Sequence, residues 1–167
     1  LTPLSSHIEV LKPYADLSRE ELHEYAEHPT CALDVVFRFG EQTIHFINTH
    51  LVWGPSPEDQ PYKVEQGQKL YEYVKNLKEP FVLSGDFNVT PDSQIVKWMD
   101  ALGTNHAVNA GVTNTLNPNT HRVKHLFPDG LAVDFLYTHP SLKVSNFKLI
   151  DTPDLSDHLG LSIEIEA

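Results

Sequence analysis

The stretch "PFVLSGDF", residues 80–87, constrains this chain more than any other. A short strand of consecutive apolar residues has no polar side to offer water, so it needs a covering layer on both faces. Immediately before it, Val64, Leu70, Val74 and Leu77 recur at near-helical spacing within residues 62–78. That spacing predicts a helix with one apolar side, lying against a sheet. A doubly covered strand preceded by an amphipathic helix predicts a layered α/β domain.

The remaining segments fit the same frame. "ALDVVFRF" and "TIHFINTHLV" read as two strands of a hairpin turning at "GEQ". "SREEL", with Ser18 and Glu21 three apart, is a capping-box pattern that predicts a short helix ending before Pro29. "GPSPEDQP" is a loop, and "DSQIVKWMDAL" a further helix with Asp92 as its N-cap. From Gly103 to Gly130 the pattern is irregular and predicts a long loop carrying "NTLNPNTHR", followed by three strands in "LAVDFLYT", "KVSNFKLI" and "HLGLSIEIEA". At 167 residues the chain suits one domain, residues 1–167.

Charge and cysteine content narrow the function. Twelve basic residues against 23 acidic ones give a formal charge of −11, which argues against a surface built to hold duplex nucleic acid. A phosphate substrate stays open, because a bound divalent cation reverses the local field. Cys31 stands alone, so neither an intrachain disulfide nor a cysteine zinc cluster is available. The sequence shows no apolar run long enough for a membrane span and no signal-like start. Because it begins at Leu1 rather than Met, removal of an upstream segment is expected, and the compartment is left undetermined.

Polar residues recur at the ends of the predicted strands, in "NTHL" (48–51), "GDFN" (85–88), "VDFLY" (133–137) and "SDH" (156–158). Each sets Asp, Asn or His among residues that should be buried, and a buried carboxylate is costly unless paired, hydrogen-bonded or bound to metal. Singly, each has an ordinary reading. His50 suits a satisfied histidine at a strand end, Asp86 and Asn88 suit an Asx-turn, Asp134 suits half of a buried pair, and "SDH" suits a capped turn. Together, in this order, they are better explained by convergence on one site.

In these motifs the chain resembles the endonuclease/exonuclease/phosphatase superfamily, from about Leu33 to the C-terminus. The resemblance implies a four-layer α/β sandwich of the DNase I-like kind and a metal-dependent phosphodiesterase or phosphomonoesterase. It implies that Asp86 orients or deprotonates the attacking water and that Asn88 hydrogen-bonds the nucleophile or a phosphate oxygen. His50 and His158 contact the phosphate, Asp134 holds the His158 imidazole in its useful tautomer, and Asp157 binds the cation with Asp86 beside it. An oxygen-rich site of this kind suits Mg2+ or Mn2+.

The same resemblance exposes a departure. Family members carry an early asparagine and a "QE" glutamate that is the main metal ligand, and neither is found in this sequence. "LTPLSSHIEVL" is similar to the family's middle strand region, so the N-terminal strands are expected to be missing. That expectation has two consequences: weakened metal binding, and an apolar sheet face left open to self-association, through the face or by edge pairing. A non-catalytic binding or scaffold domain is therefore the alternative to an enzyme. A zinc hydrolase, suggested by ten histidines, ranks lower for want of an "HExxH" spacing. Trp53, Tyr62, Trp98 and His125 are candidates to line a groove, with Trp98 the better suited to core packing. Asn117, Asn119, His121 and Arg122 are polar candidates for specificity. Nucleic acid, lipid and sugar phosphates are not separated.

Overall fold

The continuously apolar strand takes the interior position its composition demands. A computed structural model describes residues 2–16, 18, 24–122, 124–151 and 155–166. Its strands are β1 (Pro3–Lys12), β2 (Thr30–Phe39), β3 (Gln42–His50), β4 (Phe81–Asp86), β5 (Thr104–Asn105), β6 (Asp134–Thr138), β7 (Val144–Ile150) and β8 (Gly160–Ile165). Six of them form one sheet in the order β1-β2-β3-β4-β6-β5, and β7 and β8 form a separate hairpin. β4, the "PFVLSGDF" strand, lies inside that sheet, parallel to β3 and antiparallel to β6.

The helices cover one face of the sheet. α1 (Pro61–Lys75) begins on a proline at its first turn, where the missing N–H costs nothing. Leu70 and Val74 on its inner side join Ile47, Leu83, Phe135 and Tyr137 from the sheet and Ile95, Val96 and Met99 from α2 (Gln94–Asp100) in one core. Full burial of each such side chain stabilises the fold by about 1.5–3 kcal/mol. α1 and α2 approach so closely at Gly67 that a Cβ there would sit 2.6 Å from Ile95 Cγ1. Under α1, the buried carboxylate of Asp34 on β2 accepts from Tyr73 Oη at 2.7 Å and from His45 Nδ1 at 2.6 Å, tying two strands to the helix.

Two expectations need correction. The cap of α2 is Ser93, whose hydroxyl accepts from Val96 N at 3.2 Å. Asp92 accepts instead from the Thr90 hydroxyl two residues earlier, because its side chain precedes the helix start. The region from Gly103 to Gly130 is not one continuous loop: it holds β5 and α3 (His106–Asn109), and Leu116 bridges to His158. Of the helix expected at "SREEL", residues 19–23 lie outside the described residues, and a single 3-10 turn is described at Tyr25–Glu27.

The β7–β8 hairpin adds to this core, while part of the sheet is left uncovered. Phe147 on β7 and Leu161 on β8 pack against the core. Over β1 and β2, by contrast, Leu4, Ile8, Val10 and Leu33 are about half exposed, at 45–59%. Among the described residues, no helix is long and apolar enough to cross a membrane.

Candidate active site

Strand register brings the polar clusters together. His50 at the end of β3 is level with Asp86 at the end of β4, and Asp86 is level with Asp134 at the start of β6. Residues level on neighbouring strands share a face. Alternation along each strand sends the buried Thr49 and Phe135 toward the helices, and so turns His50, Asp86 and Asp134 the other way.

The turn after β4 is shaped by two unusual backbone positions. Gly85 has φ of 152°, and a Cβ there would run into the Thr49 carbonyl oxygen. Asn88 has φ of 52°, a left-handed conformation that asparagine tolerates better than most residues. Its backbone N–H donates to Asp86 Oδ1 at 2.8 Å, and its side-chain Nδ2 donates to Leu51 O at 2.8 Å. Beneath the turn, the buried ammonium of Lys63 on α1 donates to Asn88 O at 2.8 Å and to Ser56 O at 2.6 Å. One cation therefore holds both the "GDFN" turn and the "GPSPEDQP" loop. Burial lowers the Lys63 pKa, while Asp86 and Asp59 oppose that shift. The sequence marks Lys63 only as a polar residue at a core position of the helix.

His158 reaches this row from the other end of the chain. Its Nδ1–H donates to Asp134 Oδ2 at 2.8 Å, which leaves Nε2 turned toward Asp86 Oδ2 at 4.0 Å. His50 Nε2 approaches the same oxygen to 3.5 Å. What holds His158 in place is the segment before β6. Asn117 N donates to Asp157 O at 2.8 Å, Leu159 N to Thr115 O at 2.7 Å, and Asn117 Nδ2 to Ser156 O at 2.9 Å. The buried hydroxyl of Thr115 also accepts from Val133 N at 3.1 Å and Asp134 N at 3.2 Å. Thr115 thus positions both members of the Asp134–His158 pair.

Electrostatics follow from this crowding. Burial, reinforced by the negative charge of Asp134, raises the Asp86 pKa to about 6; the Asn88 N–H, His50 and His158 oppose it. The hydrogen bond to Asp134 raises the His158 pKa against the effect of burial. Burial, then the neighbouring His158, lowers that of His121.

These residues line a cavity of about 250 Å³. His50, Asp86, Asn88, His121 and His158 supply its polar wall; Trp53, Leu116, Leu126, Phe127 and Leu131 supply much of the apolar one. Of the other candidates, Tyr62 packs on Gly54 behind the wall, Trp98 packs against the core, and His125 lines a neighbouring depression with Asn114 and Pro118. Asn119 and Arg122 are exposed. Among the described residues, two groups have metal-ligating atoms within 4.8 Å of one another: Asp86, Asp134 and His158, and His121, Asp157 and His158. The two expected metal carboxylates, Asp86 and Asp157, fall in different groups that share His158. Asp157 is exposed, and Asp86 Oδ2 faces His50 and His158; a hydrated Mg2+ would need only one or two carboxylates.

Comparison with known proteins bears on the fold. Many solved structures share the fold, and three of them illustrate it. An endonuclease/exonuclease/phosphatase from Bacteroides vulgatus has a TM-score of 0.72 at 18% identity, covering 99% of this chain and 66% of that one. A mannosyl-6-phosphatase from Bacteroides thetaiotaomicron VPI-5482 has a TM-score of 0.68 at 17% identity, covering 99% and 67%. TDP2 from D. rerio, solved with a single-strand DNA product, has a TM-score of 0.69 at 15% identity, covering 99% and 68%. The chain thus spans just under two thirds, 66%, of the length of the B. vulgatus protein. No curated protein matches it in sequence. The model of the Endonuclease/Exonuclease/phosphatase family matches residues 12–158, from the end of β1 to the histidine that pairs with Asp134, and the chain belongs to that family.

Proposed function

We propose that this site hydrolyses a phosphoester, diesters in preference to monoesters, by in-line attack of water with the help of Mg2+ or Mn2+. The observation that carries the reading is the Asp134–His158 hydrogen bond set beside Asp86 on one cavity wall. A carboxylate whose pKa lies near 6 is ionised at neutral pH yet basic enough to draw a proton from water. Asp86 is the base in this reading. His158, held by Asp134, presents Nε2–H to a phosphoryl oxygen or the departing oxygen, and His50 stands at the exposed rim to meet the phosphate. Asn88 lines the same cavity and fixes the Asp86 carboxylate through its backbone N–H. Asp157, with Asp86, would hold the metal, which when bound neutralises charge on the phosphoryl oxygens.

The half-apolar cavity suits an ester with an apolar or aromatic group beside the phosphate. The acidic balance disfavours an extended duplex. Among nucleic-acid, lipid and sugar phosphates, a small diester or a single strand fits better than duplex DNA. Neither candidate metal group contains a glutamate, which supports weak metal binding and slow turnover by this chain alone. That observation also favours a second reading, a binding or scaffold domain that keeps the fold.

The test is turnover of bis-p-nitrophenyl phosphate and p-nitrophenyl phosphate with Mg2+ and with Mn2+. The diester is expected to be cleaved faster, and Asp86→Asn and His158→Ala should each lower kcat/KM by about 10²–10⁴. An Asp86→Asn variant as active as the parent chain, or no turnover with either metal, would favour the scaffold.

A further inference from the structure

We propose that His121, Asp157 and His158 form a binding site for a divalent transition metal of the Zn2+ and Co2+ class, sharing Asp157 with the proposed Mg2+ site but adding two imidazoles that Mg2+ would not use. Their ligating atoms lie within 4.8 Å of one another. The His121 and His158 rings meet edge to face, with centroids 5.3 Å apart. Two imidazoles and one carboxylate suit borderline metals, whereas Mg2+ keeps to oxygen.

Two further features point the same way. A metal-binding histidine usually donates its other ring N–H to a carboxylate, which fixes the tautomer and makes the ligating nitrogen more basic. His158 has that arrangement: Nδ1–H donates to Asp134 Oδ2 at 2.8 Å, leaving Nε2 as the ligand atom. The backbone is also braced on both sides. Asn117 accepts from His121 N at 3.0 Å and donates to Asp157 O at 2.8 Å, so one residue spaces the segments that carry the ligands. Tetrahedral bonds of about 2.0–2.1 Å set ligand atoms about 3.3 Å apart, so a metal would draw these inward. Asp157 is exposed and has the freedom to close that gap.

Because the ligands come from two segments distant in sequence, no histidine spacing announces the site. Binding has a consequence for catalysis that rests on the phosphoesterase reading: a metal on His158 Nε2 removes that atom from the substrate phosphate, so such an ion would inhibit. The binding itself does not depend on that reading.

The experiment is a Co2+ titration of the 167-residue chain, followed by visible d–d absorption. Stoichiometric uptake with absorption of low-coordinate Co2+ is expected, and Mg2+ at equal concentration should not displace it. His121→Ala and Asp157→Asn should each weaken uptake by about tenfold or more, and Asp134→Asn by about 10–100-fold. In the unaltered chain, Co2+ should shift the imidazole proton signals of His121 and His158 before those of His106 and His139, a readout that no folding defect in a variant disturbs. Uptake by His121→Ala equal to the parent, displacement by Mg2+ at equal concentration, or first shifts at other histidines would each overturn the proposal. Activity plays no part in the readout, so this proposal and the phosphoesterase reading fail separately.

Discussion

Asp86 is a carboxylate kept where ionisation is costly. Burial and Asp134 raise its pKa from the usual carboxylate range to about 6. The unfolded chain therefore loses this proton at lower pH than the folded one, and the folded state binds more protons between about pH 4 and pH 6. Within that window this group makes stability fall as pH rises, and above it the full penalty remains. Asp86→Asn removes the charge while its Oδ1 still accepts from Asn88 N. In metal-free buffer at pH 8 the variant is expected to be more stable than the parent by about 1–3 kcal/mol. Denaturant melts of both chains from pH 4 to 8 test this. Equal stability at pH 8 would mean that solvent or nearby charge already relieves the carboxylate.

At the scale of the element, the segment 114–117 does more than its loop-like sequence announces. Thr115 accepts two backbone N–H groups with a fully buried side chain, and Leu159 N donates to its carbonyl. Thr115→Val keeps the shape but leaves both N–H groups without their acceptor, at a cost of about 2–4 kcal/mol. The variant should also lose activity, because Asp134 and His158 both hang from this residue. Thr115→Ser, which retains the oxygen, should restore most of each. Chemical denaturation beside kcat/KM separates the outcomes, and a valine variant of unchanged stability would remove the segment from the supporting role assigned to it.

The whole molecule presents a sheet with one face well covered and the other open over β1 and β2. Ile8 and Leu33 are level with each other in the register and about half exposed. The outer edge of β1 has no neighbouring strand among the described residues. An apolar face beside an unpaired edge favours association with a second copy. Each copy carries a formal charge of −11, so repulsion opposes that association at low ionic strength and salt screens it. Sedimentation velocity is expected to show a species larger than the monomer, increasing with salt, and Ile8→Lys with Leu33→Lys should return the chain to the monomer. A monomer at high concentration and high salt would exclude this face as a self-association surface.

Local pattern was enough for most elements. The continuous apolar run of β4, the near-helical spacing in α1 and the hairpin at "GEQ" depend on neighbours in sequence, and they are found where they were read. The polar motifs were legible for the same reason, since each is a contiguous stretch at a strand end. What the sequence left undecided is what joins distant segments. Lys63 bracing Asn88, Thr115 holding Asp134, and His121 meeting His158 pair residues that no local period connects. Sequence determined which side chains stand at the strand ends, because alternation and turn chemistry act over a few residues. Only the tertiary structure decided that His50, Asp86 and Asp134 stand level on three strands with His158 against them, because strand register is set by packing across the whole sheet.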